Sequence, residues 1–316
     1  MSAPLKSRNS VRWSEGVCSV VACAFLLYKW LTYKDYDLFW QEWIGGESWN
    51  WMAGIVTCLL LPCNLMTESI KWKALLRPLG ERSTPNAFKD VCKGYLGAFV
   101  TPNRVGEFPC RAFYLPRDWR VTAIGLGGIG AIVQMGVIAA MGIPAFCVLC
   151  HALPRIDWTR SILYVSIMLV VVVVAVYLLS RFRSVKQVWD DFVRALHHLG
   201  TKGVAGVTLW ALLRYLIFCF QFWLMLEFCG VHLAFSQAWM AVAVYYMLVT
   251  FTPSIHVAEL AVRGSWAVVA LSPFTNEIPA VTLSAWLVWM INGVVPLLVG
   301  MFIKHTSPAT PDEQPE

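Results

Sequence analysis

The sequence predicts an all-α integral membrane protein with six full spans and two broken helical hairpins, arranged as an inverted repeat. Three observations support this prediction: an apolar composition, apolar runs long enough to cross a bilayer, and a polar cluster that occurs twice. Apolar residues make up 58% of the 316 residues and charged residues only 14%, whereas a soluble domain usually carries about 25% charged residues. No polar stretch is long enough to form a separate soluble domain.

Six uninterrupted apolar stretches match the roughly 17–25 residues that cross the hydrocarbon core as a helix. They fall near residues 16–34, 50–72, 121–149, 160–181, 204–229 and 279–303. The first stretch lacks the small-residue cleavage site of a signal peptide, so we expect it to remain as a membrane anchor.

Two more apolar stretches, 86–117 and 235–273, are each interrupted by a polar cluster. The clusters, residues 101–111 and 252–263, both read Thr-Pro, a short spacer, Glu, and Arg four positions later. Charged side chains are costly at membrane depth, and pairs of interrupted helices mark the binding sites of transporters. The repetition therefore predicts two re-entrant hairpins whose tips meet near the middle of the bilayer. Two short spans in place of each hairpin are the alternative that the sequence leaves open.

The first cluster contains residues suited to ending one helix and beginning another. Pro102 cannot donate a backbone hydrogen bond, Gly106 permits a tight bend, and Pro109 suits a first helical turn. Glu107 would lie at the N-terminus of the new helix, where the helix dipole favours an anion, with Arg111 one turn further along.

Loop charges orient the spans. The N-terminal residues 1–15, the segment after the second span and the 181–202 loop are rich in Lys and Arg, which places them in the cytoplasm by the positive-inside rule. The acidic 33–49 loop fits the opposite side. Hairpins at both broken stretches satisfy these assignments and return the C-terminus to the cytoplasm.

This order of elements predicts one polytopic domain, residues 16–303. Its two halves, about 16–149 and 160–303, would have the same order of elements in opposite orientations. The Pro-rich acidic residues 304–316 predict a disordered tail.

Twelve polar residues within or beside the apolar stretches are candidate contacts for a ligand. Arginines and helix-terminal amides together favour phosphate, so we expect a cavity for an anionic head group. The arginines of the two clusters would neutralise the phosphate, while Glu107 and Glu259 would hold the arginines. The full set is Glu68, Lys71, Asn103, Arg104, Glu107, Arg111, Arg214, Tyr215, His256, Glu259, Arg263 and Asn292.

Simpler interpretations compete for part of this set. Each Glu–Arg pair of the clusters could merely lock its own hairpin. Glu68 and Lys71 could form an interfacial ion pair with the lysine ammonium reaching water, and Arg214 could reach the inner interface. His256 fits a buried hydrogen bond better than a proton relay.

The sequence contains no Walker loop, dinucleotide fingerprint, zinc-protease motif or catalytic-serine elbow, and its 10 cysteines lack metal-ligand spacing. We therefore predict no metal, no cofactor and a transporter rather than an enzyme. The net charge of +6 is concentrated in particular loops, where it indicates topology and not nucleic-acid binding.

At these residues the chain resembles the lysylphosphatidylglycerol synthase transmembrane family, also called the flippase-like family, over nearly its whole length. The segments that carry the resemblance are Asn64…Glu68…Lys71-Trp72, Gly94-Tyr95-Leu96 leading to residues 101–107, Arg214-Tyr215, Thr252-Pro253…Glu259…Arg263, and Asn292…Pro296.

The resemblance implies a role with lipids. In members that make aminoacylated lipids, this unit is similar to a lipid translocator fused to a cytosolic aminoacyl-transferase domain. The chain ends soon after its last span, so the resemblance implies a stand-alone unit without that transferase. Family members are mostly bacterial and archaeal, which implies a prokaryotic cell (inner) membrane.

The resemblance and the residues together predict a flippase or transporter that moves a phospholipid or polyprenyl-phosphate lipid through a charged cavity. A membrane enzyme acting on a lipid-linked phosphate or sugar, and an accessory subunit of a lipid or glycan synthase, are the alternatives. The expected partner is a membrane lipid with an anionic head group. A homo-oligomer and a partner enzyme of lipid synthesis are both left open.

Overall fold

A computed structural model describes residues 20–33, 49–101, 104–152, 183–252 and 258–304, with positions 37 and 41. Every element described below is a helix. The predicted span 160–181 and the tail 305–316 lie outside the described residues, as do the candidate residues Asn103 and His256.

The first two helices correspond to the first two predicted spans. Helix α1 is Val20–Leu31, and α2 is Trp51–Leu76. The α2 helix begins where the Asn50 side chain accepts a hydrogen bond from the backbone amide of Ala53 at 3.2 Å, which satisfies one free N–H of the first turn. Glu68 and Lys71 lie in its last third.

The first broken stretch consists of two helices that fold back on each other. Helix α3 is Thr84–Val100 and ends at Thr101, whose backbone is extended. Helix α4 is Glu107–Phe113, so a new helix begins at the glutamate, as predicted. A Cβ added at Gly97 of α3 would overlap the carbonyl oxygen of Gly106, so the two arms approach each other with backbone against backbone.

A long span follows the first broken stretch. A short 3₁₀ turn, Arg117–Trp119, leads into α5, Arg120–Ala152. Helix α6 is Arg183–Phe228, with a break at Gly200, whose φ of 64° is in the left-handed region that favours glycine. The break lies at the start of the apolar span Leu199–Phe228.

The second broken stretch repeats the form of the first. Helix α7 is Phe235–Phe251 and ends at an extended Thr252, and α8 is Glu259–Leu271. The hydroxyls of Thr101 and Thr252 each donate to the carbonyl four residues earlier, at 2.7 Å in both cases. The two breaks therefore share a local structure as well as a sequence pattern.

The last span contains a turn of π-helix. Helix α9, Ile278–Trp289, continues through the π turn Met290–Val294 into α10, Val295–Phe302. Asn292 lies in the π turn, and π turns often occur at functional sites.

Four described helices are long and apolar enough to cross a membrane, which makes this a multi-pass membrane protein. They are Trp51–Leu76, Arg117–Cys150, Leu199–Phe228 and Ile278–Phe302. Two apolar cores hold the helices together. One packs α1 with parts of α5 to α9, and the other packs α2, α3, α4 and α5 with one residue of α6.

Candidate functional site

A cavity of about 810 Å³ lies among the helices and is lined by residues from both broken stretches. Ten of the twelve candidate residues line it. They are Glu68, Lys71, Arg104, Glu107, Arg111, Arg214, Tyr215, Glu259, Arg263 and Asn292. Asn103 and His256, the other two, lie outside the described residues.

Glu68 is the centre of a buried ion cluster. Its carboxylate forms ion pairs with three cations: Arg111 of α4, with an N–O distance of 2.8 Å, Lys71 of its own helix, with an N–O distance of 2.7 Å, and Arg214 of α6. Glu68 is 4% exposed and Lys71 is 3% exposed. The interpretation of these two as an interfacial pair with a lysine reaching water is therefore wrong, because both side chains lie within the protein.

Glu107 extends this cluster to the tip of the first broken stretch. Its carboxylate pairs with Arg111 one turn along α4, as predicted, and with Arg104 at 3.3 Å. Glu107 also lies in the first turn of α4, where the helix dipole favours a carboxylate. Because Arg111 also binds Glu68, this pair does more than lock its own hairpin.

Arg104 has an unusual backbone and the most accessible charge of the cluster. Its φ is +59°, a left-handed conformation that non-glycine residues rarely adopt and that is often found at functional sites. Its guanidinium carbon lies 5.0 Å from the ring centroid of Tyr95. The side chain is 38% exposed, against 2% for Arg111.

Arg214 joins the ion cluster to the last span. Its Nε donates to Asn64 Oδ1 at 3.0 Å, and Asn64 Nδ2 donates to Asn292 Oδ1 at 2.7 Å. Arg214 is therefore directed into the protein and not to the inner interface. Tyr215, the next residue, is buried in the cavity wall, and its ring packs edge-on against Tyr246.

The second Glu–Arg pair forms a smaller group in the same cavity. Arg263 donates to Glu259 Oε1 through Nε at 3.0 Å and through Nη2 at 2.8 Å. Trp289 of α9 donates its indole N–H to the same oxygen at 3.0 Å. Three hydrogen bonds to one carboxylate oxygen fix the position of Arg263 at the cavity wall.

The sequence profile described as the lysylphosphatidylglycerol synthase TM region matches residues 16–300, most of the chain. The chain belongs to this lysylphosphatidylglycerol synthase transmembrane family. Comparison with curated proteins and with solved structures found no match.

Several residues that line the cavity were not among the candidates predicted from the sequence. Gln134 of α5 accepts from Lys71 Nζ at 3.3 Å and donates to the Ala211 carbonyl at 3.1 Å. Trp289 and Tyr246 also line the cavity. Gln134 had a detectable signal, since it is an amide within a long apolar run. The two aromatics had none, because aromatic residues are common throughout the chain.

The charges of the cavity suit an anion. Five cationic side chains and three carboxylates line it among the described residues. Each carboxylate holds at least one cation in place, so the cations are fixed before any ligand binds. Within the described part of the chain, no group of three or more His, Cys, Asp or Glu residues could hold a metal ion.

Proposed function

We propose that this protein is a lipid flippase, which moves a lipid with an anionic phosphate head group across the membrane through the charged cavity. One observation supports this most: ten polar residues singled out from the sequence lie around a single cavity of about 810 Å³. They come from four separate helices, the α3–α4 connection and the π turn. Charged residues at membrane depth are costly and usually mark a functional site.

The shape of the cavity wall supports a lipid over a small soluble solute. Val105, Met135 and Phe251 line the cavity, and all three side chains are exposed. They belong to the α3–α4 connection, α5 and the end of α7. An apolar opening at this place would let acyl chains stay in the bilayer while the head group passes among the charges.

The length of α4 bears on how the first broken stretch enters the membrane. Helix α4 has 7 residues, a length of about 10 Å, which is too short to cross a hydrocarbon core of about 30 Å. A re-entrant hairpin therefore fits the first broken stretch better than two short spans. Because the two breaks share a local structure, we propose that the second broken stretch is also a re-entrant hairpin. The two halves of the chain would then form an inverted repeat. We place the protein in the prokaryotic cell membrane.

The test is translocation of a fluorescent phospholipid in proteoliposomes made with the full chain. Glu107→Gln should abolish head-group translocation because Arg104 and Arg111 lose a shared carboxylate. Arg263→Ala should do so because it removes the cation held by Glu259. Glu81→Gln and Arg117→Gln are the matched controls, since both residues are exposed and lie outside the cavity lining.

Normal translocation by both folded cavity variants would refute the proposed site. Mass spectrometry of the recovered lipid adds a second readout. Chemical conversion of the lipid without movement would refute a flippase and favour a membrane enzyme.

A further inference from the structure

The charges of the cavity are unevenly distributed. Four cations and two carboxylates form one connected group, in which every member has an ion pair with another. This group, here called the first charge cluster, consists of Lys71, Arg104, Arg111, Arg214, Glu68 and Glu107. Arg263 and Glu259 balance each other on the other wall. The excess of two positive charges therefore belongs to the first charge cluster.

The residues outside the described ranges at the two tips do not change this balance. Positions 102–103 and 253–257 contain no Lys, Arg, Asp or Glu. An uncompensated charge is expensive where water is scarce, and three of the four cations are almost fully buried. A bound anion that supplies two negative charges would neutralise the cluster, whereas one negative charge would leave one cation of the cluster uncompensated.

The cluster also has donors for such an anion. Arg111 Nε is buried and has no hydrogen-bond partner among the described residues. Lys71, Arg104 and Arg111 all line the cavity, and Arg104 is the most exposed of the four cations. Several arginine and lysine side chains lining one cavity suit the several acceptor oxygens of a terminal phosphate.

We infer that the first charge cluster selects lipids whose head group carries two negative charges, a phosphomonoester or a diphosphate ester, over lipids with a singly charged phosphodiester. The inference rests on the proposed lipid site and narrows the class of its substrate. A free phosphate ion has the same chemistry as the head group, so the experiment below separates the two.

The experiment measures binding of the full chain to two lipids with identical acyl chains, phosphatidate and phosphatidylglycerol, by competition in native mass spectrometry. A phosphomonoester loses its second proton near pH 6. Phosphatidate is therefore a dianion at about pH 8 and close to a monoanion at about pH 5. We expect a preference for phosphatidate of about tenfold or more at the higher pH, falling towards equal binding at the lower pH. Phosphatidylglycerol stays singly charged throughout and reports any effect of protonating the protein.

Arg104→Gln provides the second measurement, because it removes one of the two excess charges. Its preference for phosphatidate should fall several-fold, while Arg117→Gln, an exposed surface control, should keep it. If Arg104→Gln does not fold, Lys71→Gln in α2 removes a different cation of the first charge cluster and should lower the preference for phosphatidate in the same way. Glycerol 3-phosphate, without acyl chains, should compete only weakly. Strong competition by it would overturn a lipid ligand in favour of a soluble phosphate.

The outcomes separate this inference from the proposed function. Equal binding of the two lipids at the higher pH, or a preference that does not change with pH, would overturn the dianion inference while leaving a lipid site intact. Failure of both lipids to bind would overturn both proposals.

Discussion

Glu68 shows how one side chain can organise a buried site. Its two oxygens receive cations from α2, α4 and α6, and it is almost completely shielded from solvent. Removing one member of a buried ion pair is strongly destabilising, because the remaining charge loses its partner without regaining water. The cost is greatest for the member with the most partners, which here is Glu68.

Glu68→Gln should therefore destabilise the protein by about 3–5 kcal/mol or more, since Lys71, Arg111 and Arg214 lose a shared countercharge. The measurement is thermal unfolding in detergent, with Glu81→Gln as a control of the same chemical change at an exposed position. Equal melting temperatures for the two variants would show that Glu68 does not hold the helices together.

At the scale of elements, the two broken stretches depend on a threonine that ends each first arm. Thr101 Oγ1 accepts from the Gly106 amide at 2.7 Å, and Thr252 Oγ1 accepts from Trp266 Nε1 at 2.9 Å. Both hydroxyls thus connect the end of one arm to the other arm. In the first stretch the arms are close enough that Gly97 faces Gly106 without room for a side chain.

Gly97→Ala should separate the arms of the first broken stretch and cost about 1–3 kcal/mol through overpacking, with loss of lipid translocation. Gly125→Ala is the matched control, because this glycine is within α5 and a Cβ there would meet no atom within 4 Å. The control should be neutral or more stable by about 0.5–1 kcal/mol, owing to the better helix propensity of alanine. Equal unfolding temperatures for the two variants would contradict the close approach of the arms.

At the scale of the whole molecule, α1 packs with the second half of the chain. Ser265 of α8 donates to the Ala22 carbonyl at 2.8 Å, and the rings of Trp30 and Trp286 stack with centroids 6.1 Å apart. The cavity is likewise shared, since its charged residues come from both halves. Residues from both sides of the 153–182 segment therefore meet in the packing of α1 and in the lining of the cavity.

The predicted topology places both termini in the cytoplasm, because each broken stretch returns to the side from which it started. Reporter fusions to the C-terminus of the full chain test this. A reporter that works only in the cytoplasm should be active and one that works only outside should be inactive, with the reverse for insertions in the 33–49 loop. An active external reporter at the C-terminus would mean that one broken stretch crosses the membrane only once.

The sequence by itself determined the helical class, four of the predicted spans, the positions of both breaks and most of the polar residues of the cavity. Hydropathy, the prolines and the repeated Glu–Arg spacing are local features, so they are readable without knowing how the helices pack. The tertiary structure decided which charges meet. Glu68 bonds to Arg111 and Arg214, which are 43 and 146 residues away. Such contacts depend on helix packing, and no local pattern could reveal that a glutamate near the end of one span neutralises arginines from two others.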